Sequence, residues 1–178
     1  MNNFDIPFNK GLVGGRMKDE DTGLFFPWYT RSFLKVLNTW DVKKWRVFEY
    51  GSGDSTKWWK SKSSEVISVD NNKTWCDKTG AHFSQDKKEF TTYPEKFVKD
   101  GKFDCIIIDG NPNEWRDYCT EIAVECIKEG GILIIDNYNQ ASTKTGSYPL
   151  SDAILVNKEK FVFHQKGHRD WKTAYWVI

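Results

Sequence analysis

Four short apolar runs in this chain carry a carboxylate at or near their ends. Glu49 lies in VFEY, which is followed by Gly51-Ser52-Gly53. Asp70-Asn71 closes VISVD, Asp109-Gly110 closes FDCIIID, and Asp136-Asn137 closes ILIID. One strand-end carboxylate is an ordinary solvated residue. Four of them suggest one shared site, because the ligand of an open parallel sheet lies beyond the carboxyl ends of its strands. Two glycines in the first turn let a ligand approach the backbone closely. Asp70 follows Gly53 by 17 residues, near the spacing at which an acidic side chain grips two ribose hydroxyls. The pattern points to an adenosine-containing ligand.

A dinucleotide fits this pattern poorly. The third glycine of its fingerprint is replaced by Thr56, and Glu49 would repel a pyrophosphate. S-adenosylmethionine has no phosphate and carries an ammonium and a sulfonium, so a carboxylate at position 49 favours it. Blander readings stand beside this one. Gly51 and Gly53 can form a tight turn and nothing more. Glu49 and Asp70 can be solvated strand ends, and Asp136-Asn137 a turn. Ser52 and Ser55 lie in EYGSGDS, which lacks the G-x-S-x-G frame of a hydrolase elbow. His82, His164 and His168 have neither metal nor triad spacing, and the Trp58-Trp59 pair reads as core packing.

These residues need elements to position them. Residues 1–24 read as an irregular arm and 25–178 as one domain. After Pro27, which suits a first helical turn, Tyr29, Phe33, Val36, Leu37 and Trp40 predict a helix over 28–40. Strands are expected at 45–50, 65–70, 81–85, 103–109 and 132–136. Helices are expected after Gly53, over 72–79, for a turn or two at 93–99, and from Asn111. There Asn111 would be the cap and Pro112 the first helical residue, with Gly130-Gly131 as the stop. Residues 137–149 read as a loop, and a short helix at 150–156 follows. The last strands, 161–165 and 173–178, are joined too closely for a parallel crossover and should pair as a hairpin. The expected fold is an α/β, Rossmann-like sheet, mostly parallel, with helices on both faces and a C-terminal antiparallel hairpin.

VFEYGSGDSTKWW with VISVD resembles the first two motifs of class I S-adenosylmethionine-dependent methyltransferases. FDCIIIDG and GGILIIDN resemble their fourth- and fifth-strand motifs. The likeness covers residues 25–178 and is greatest to small members with a PWYT-type lead-in helix and a terminal W-x-T strand, here Trp171-Lys172-Thr173. The resemblance implies seven strands, with the last one inserted antiparallel. It implies that Glu49, Gly51 and Gly53 lie near the methionine part of the cofactor and Asp70 on its ribose, with the adenine near Gln85-Asp86. The wider cofactor set adds Trp28, Tyr29, Ser52, Ser55, Thr56, Asn71 and Asp109. Asp109, Asp136 and Asn137 are the expected transfer site. The same three resemble the ligands of metal-dependent O-methyltransferases, and hard oxygen donors suit Mg²⁺. No lysine follows Asp109 where those enzymes place a base, so no metal is assigned and Mg²⁺ remains the alternative.

The implied function is methyl transfer to a small hydroxyl- or amine-bearing acceptor. The alternative is a catalytically silent S-adenosylmethionine-binding module acting through a partner. Lys plus Arg number 26 against 25 Asp plus Glu, without the basic excess of phosphate-binding surfaces. The D-P-P-aromatic run of amino-methylating DNA enzymes is also missing at Asp109-Gly110-Asn111-Pro112, so nucleic acid is not the expected acceptor. No apolar run approaches the ~20 residues of a membrane helix, and MNNFDIPFNK has no signal-peptide core. Four cysteines without C-x-x-C spacing read as reduced thiols, which suits the cytoplasm. Oligomeric state is not legible.

Overall fold

The computed structural model describes residues 17–139, 148–165 and 171–178. Most of the expected arm, most of the 137–149 loop and the link between the last two strands lie outside these residues.

Three apolar runs form the centre of the sheet. β1 (Arg46–Tyr50), β4 (Phe103–Ile108) and the second half of β5 (Ile127–Ile135) are buried on both faces, as expected of parallel strands covered by helices on each side. Around them lie β2 (Glu65–Asp70), the two-residue β3 (His82–Phe83), β6 (Glu159–Gln165) and β7 (Trp171–Val177). The strand order is β3-β2-β1-β4-β5-β7-β6. The first five strands are parallel, whereas β7 runs antiparallel to both β5 and β6. The expected mostly parallel sheet with its terminal hairpin is therefore present, and β7 is the inserted strand.

Strand periodicity divides the core in two. Phe48, Tyr50, Ile106, Ile108, Leu133 and Trp176 share one face, under α5 (Arg116–Cys126). Val47, Cys105, Ile107, Ile134 and Tyr175 share the other, under α1 (Arg31–Leu37) and α2 (Asp54–Lys62). Glu49 alternates with Phe48 and Tyr50, so it falls on the α1–α2 face. Trp58 and Trp59 of α2 are buried there and contribute roughly 1.5–3 kcal/mol each, as large apolar side chains do. All four cysteines are buried and free. Among the described residues no helix is long and apolar enough to cross a membrane.

Several boundaries differ from expectation. α1 begins at Arg31 rather than 28, because the Thr30 and Arg31 N–H groups are drawn to Thr173 Oγ1 (3.0 Å) and Gln165 Oε1 (3.2 Å) on the hairpin. Pro112 does not open a helix. The Asn111–Pro112 peptide is cis, Pro112 is extended, a 3-10 turn covers Asn113–Trp115, and α5 starts at Arg116. Gly130-Gly131 shapes a bulge within β5 between the Phe103↔Ile127 and Cys105↔Ile132 pairs. A Cβ on Gly131 would stand 2.5 Å from Ile127 Cγ2. After α3 (Lys73–Thr79), an unforeseen helix, α4 (Lys87–Thr92), is capped by Asp86, whose Oδ1 accepts the Glu89 N–H at 2.8 Å. α6 (Pro149–Ile154) completes the helices.

Candidate functional site

Asp70, Glu49, Asp109 and Asp136 stand at or near the carboxyl ends of β2, β1, β4 and β5, four consecutive neighbours in the sheet. Glu49 has no exposed surface. Ser55 Oγ and Thr56 Oγ1, on the first turn of α2, both donate to it. Thr56 Oγ1 also accepts the Gly53 N–H at 2.9 Å. The threonine at the third-glycine position thus ties the carboxylate to the turn. Among the described residues no cation pairs with Glu49. Burial pushes its pKa to about 8 against those two hydroxyls, and the charges of Asp109 and Asp70 add to the rise.

Asp70 fastens the first turn to the second strand. Its Oδ2 accepts the Ser52 N–H at 2.5 Å and Ser52 Oγ at 2.9 Å, and its Oδ1 accepts the Asn72 N–H at 2.7 Å. Three of its roughly four acceptor positions are used. Asn71 is half-buried in the following bend.

The two glycines of the turn have different surroundings. Gly51 has φ +96°, and a Cβ there would lie 2.9 Å from Gly110 N and 3.0 Å from Asp109 C. It is required by the backbone packing of β1's end against β4's end. Gly53 is extended, and a Cβ there would meet nothing within 4 Å. Only Gly53 faces open space.

Arg116, which the sequence reading passed over, organises the other half of the site. Its guanidinium is buried and donates to Gly110 O (2.9 Å), Asp136 O (2.5 Å) and Asp109 O (3.0 Å), with Asp109 Oδ1 at 3.4 Å. The available signal was an arginine on the buried stripe of a helix, in register with Cys119 and Ala123. Burial raises the pKa of Asp109, with Arg116 opposing and Asp70 adding. About a third of the Asp109 side chain stays accessible (32%). Burial and the charge of Asp109 raise Asp136, against a 2.6 Å hydrogen bond from Thr173 Oγ1 and the pull of Arg116. Asn137 is half-buried at φ +48°, a conformation asparagine tolerates better than most residues.

The PWYT and W-x-T motifs meet across the sheet. Trp28 lies edge-on to Trp171 at 5.0 Å, and the Thr30 N–H reaches Thr173 Oγ1, whose own O–H donates to Asp136. Tyr29 is buried, and its hydroxyl accepts the Trp59 Nε1–H at 3.4 Å. Burial and then the charge of Glu49 raise its pKa, with smaller contributions from Asp109 and Asp136. Just upstream, residues 17–26 double back through the Lys18–Phe25 bridge. They are clipped to α2 by buried Asp19, which accepts Trp58 Nε1–H at 2.7 Å and Lys62 Nζ at 2.9 Å. Gln85 and Asp86 are exposed, and Asp86 is engaged as the α4 cap.

The donor set suits a cationic, phosphate-free ligand. Four carboxylates share one end of the sheet, and Arg116 is the one basic group bonded among them in the described residues. As a metal site the arrangement fits less well. Asp109 faces Arg116, Asp136 is engaged by Thr173, and no group of three His, Cys, Asp or Glu is placed to hold an ion among the described residues.

Rossmann-like sheet, inserted antiparallel strand and strand-end site together define the class I methyltransferase fold. No family profile matches the sequence, and no curated protein does. Solved structures do match in fold. An O-methyltransferase from Bacillus cereus, in complex with SAH, aligns with a TM-score of 0.59 at 14% identity, over 82% of this chain and 79% of that one. The methyltransferase MycE of the mycinamycin biosynthetic pathway, in complex with Mg, SAH and mycinamycin VI, aligns at 0.57 and 14% identity over 84% of this chain. The chain spans about half of MycE's length (49%). An rRNA methylase from Streptococcus thermophilus aligns at 0.55 and 12% identity, over 77% and 89%. One fold thus serves a methyltransferase of the mycinamycin pathway and an rRNA methylase, so fold alone does not set RNA aside as an acceptor class.

Proposed function

We propose that this chain is an S-adenosylmethionine-dependent methyltransferase acting on a small hydroxyl- or amine-bearing acceptor. The observation that carries the reading is the convergence of Glu49, Asp70, Asp109 and Asp136 on four adjacent strand ends, beside the open space over Gly53. S-adenosylmethionine would supply an electrophilic methyl on a sulfonium, and its ammonium and sulfonium match the excess of carboxylates. Asp70 has one acceptor position left for a ribose hydroxyl, and Ser52 Oγ can turn to a second. Glu49 and Asp109 face the methionine end, Asp109 as the carboxylate for its ammonium. Trp28 and Tyr29 close the site from the lead-in segment, and Ser55, Thr56 and Asn71 hold its walls.

Asp136 and Asn137 then lie on the acceptor side. A carboxyl whose pKa is raised toward neutrality is suited to proton transfer at working pH. In this reading the ionised form of Asp136 takes the proton that the acceptor oxygen or nitrogen gives up on methylation. Bound there, S-adenosylmethionine would supply the methyl and leave as S-adenosylhomocysteine. Positioning in line with the sulfonium supplies most of the rate. No step passes through a metal.

The test is calorimetric titration of the full chain with S-adenosylmethionine, S-adenosylhomocysteine and NAD, followed by mass spectrometry for methyl transfer to hydroxyl and amine acceptors. The two adenosyl ligands are expected to bind and NAD to bind far more weakly. Asp70→Ala should cost about 1.5–3 kcal/mol of that binding, the range for a hydrogen bond to a charged group. Tight NAD binding with no response to S-adenosylmethionine would overturn the reading. Binding without turnover on any acceptor would leave the silent-module alternative in its place.

A further inference from the structure

We infer that the chain carries a second ligand site, for a small N-methylated ammonium ion, at the end of the sheet opposite the four carboxylates. The site arises from a mismatch of lengths. α1 has 7 residues, about 10 Å at helical rise. β6 and β7 have 7 residues each, about 23 Å at strand rise. The helix therefore covers only part of the hairpin face. Beyond its C-terminal end the face opens into a groove of about 480 Å³, within the range of small-molecule sites.

The lining states the chemistry. Trp40, Trp45, Phe161 and Tyr175 line it with aromatic rings, and Asp41 and Glu159 supply carboxylates. The rings are set at different angles. Trp40 meets Tyr175 at 5.3 Å and 90°, while Phe161 stacks on Tyr175 at 4.7 Å and 18°. Trp40, Trp45 and Phe161 keep part of their surface accessible, and Asp41 and Glu159 are exposed. Among the described residues no lysine or arginine lines the groove. Lys160, the neighbour of Glu159, points to the other face of the sheet, over Tyr138 and Trp176.

Aromatic faces attract a cation through their quadrupoles, most strongly where the ion is already poorly hydrated, which is why methylated ammonium ions favour such walls. A primary ammonium holds its water more tightly. A purely apolar ligand would make no use of Asp41 and Glu159. Thr173 marks the carboxylate end of β7 and Val177 the groove end, four residues and about 13 Å apart. The inference therefore stands whether or not the methyltransferase reading does.

The experiment titrates the full chain with choline and, separately, with 3,3-dimethylbutan-1-ol, its neutral carbon isostere, read by ¹H–¹⁵N NMR. Choline is expected to shift the indole N–H signals of Trp40 and Trp45, saturating at about millimolar concentration, with the isostere at least ~5-fold weaker. Glu159→Gln, an exposed change that leaves the fold alone, should weaken choline about 3-fold, and Trp45→Leu should abolish the response. If Trp45→Leu does not fold, the Asp41→Asn, Glu159→Gln double variant carries the test, with a loss of ~5-fold or more expected. Equal binding of the neutral isostere, shifts centred on Gly53 and Asp70 instead, or no shifts at all would each overturn the proposal.

Discussion

The two halves of the carboxylate cluster are stabilised by opposite means. On the β1–β2 side, Glu49 and Asp70 are held by hydroxyls and backbone N–H groups, which orient a carboxylate without cancelling its charge. On the β4–β5 side a buried guanidinium spans Asp109 and the carbonyls of Gly110 and Asp136, so the charge is balanced from within. The first half has no bonded cation among the described residues, and Glu49, with its pKa at about 8, can ionise when a cation arrives. The second is braced from within, and the Asp109 side chain, about a third of it accessible, is what it leaves to meet a ligand. The difference teaches that similar strand-end acids need not do similar work.

The sharpest way to break this comparison is to remove the brace. Arg116→Met keeps the chain length but strands three carbonyl acceptors and removes the cation beside Asp109 and Asp136. Removing one partner of a buried pair costs about 3–5 kcal/mol, and the urea midpoint should fall accordingly. Glu49→Gln keeps an acceptor for Ser55 and Thr56 and should change stability near pH 7 by no more than about 1 kcal/mol. Equal losses in the two variants would show that the halves are not built differently.

A smaller contrast lies within the first turn. Gly51→Ala forces a side chain onto a φ of +96° and against the Gly110 backbone, and should destabilise by about 1–3 kcal/mol. Gly53→Val adds a Cβ where no atom is met within 4 Å, and at the α2 N-cap it should cost about 1 kcal/mol or less of urea stability. It should nonetheless abolish S-adenosylmethionine binding by filling the space the ligand needs. A Gly53→Val protein that binds normally would remove the cradle from the account.

The least disruptive test uses pH. Glu49 ionises near 4.5 when unconstrained and at about 8 in the fold. The folded state therefore holds that proton more tightly. The resulting stability is complete below pH ~4.5 and is lost as pH rises through about 8. Asp19 has the opposite sign. Burial alone would raise its pKa, but Lys62, Trp58 and the Asp21 N–H hold it below 3.8. Its stability is present above that pH and lost on acidification. Urea midpoints of the wild type relative to Glu49→Gln should fall between pH 5 and 8, and those relative to Asp19→Asn should fall on going below pH 4. A flat Glu49 difference would mean that the carboxyl is already paired.

The β1–β2 half was legible because its chemistry is local. Glu49, the Gly-Ser-Gly turn and Asp70 lie within 22 residues, and their spacing carries the message. The hairpin was legible from its short connection. Arg116 was not, because its partners lie on two strand ends and nothing adjacent in sequence marks the meeting. The Thr30–Thr173 contact joins residues 143 apart, so PWYT and W-x-T could be noted as motifs but not as neighbours. α4 was overlooked although Asp86 and Glu89 have capping-box spacing, since no apolar periodicity accompanies them. The start of α5 was misplaced because a proline can precede a helix as well as open it.

The account's central claim is that Glu49 is a carboxyl without a bonded cation that ionises for a cationic cofactor. The most direct measurement is calorimetry of S-adenosylmethionine binding at pH 7 in two buffers of different ionisation enthalpy. With its pKa at about 8, Glu49 is mostly protonated before binding. An arriving ammonium and sulfonium favour the ionised form, so binding should release close to one proton per cofactor. Glu49→Gln should bind with little release. Proton uptake, or the same release from Glu49→Gln as from the wild type, would contradict the account.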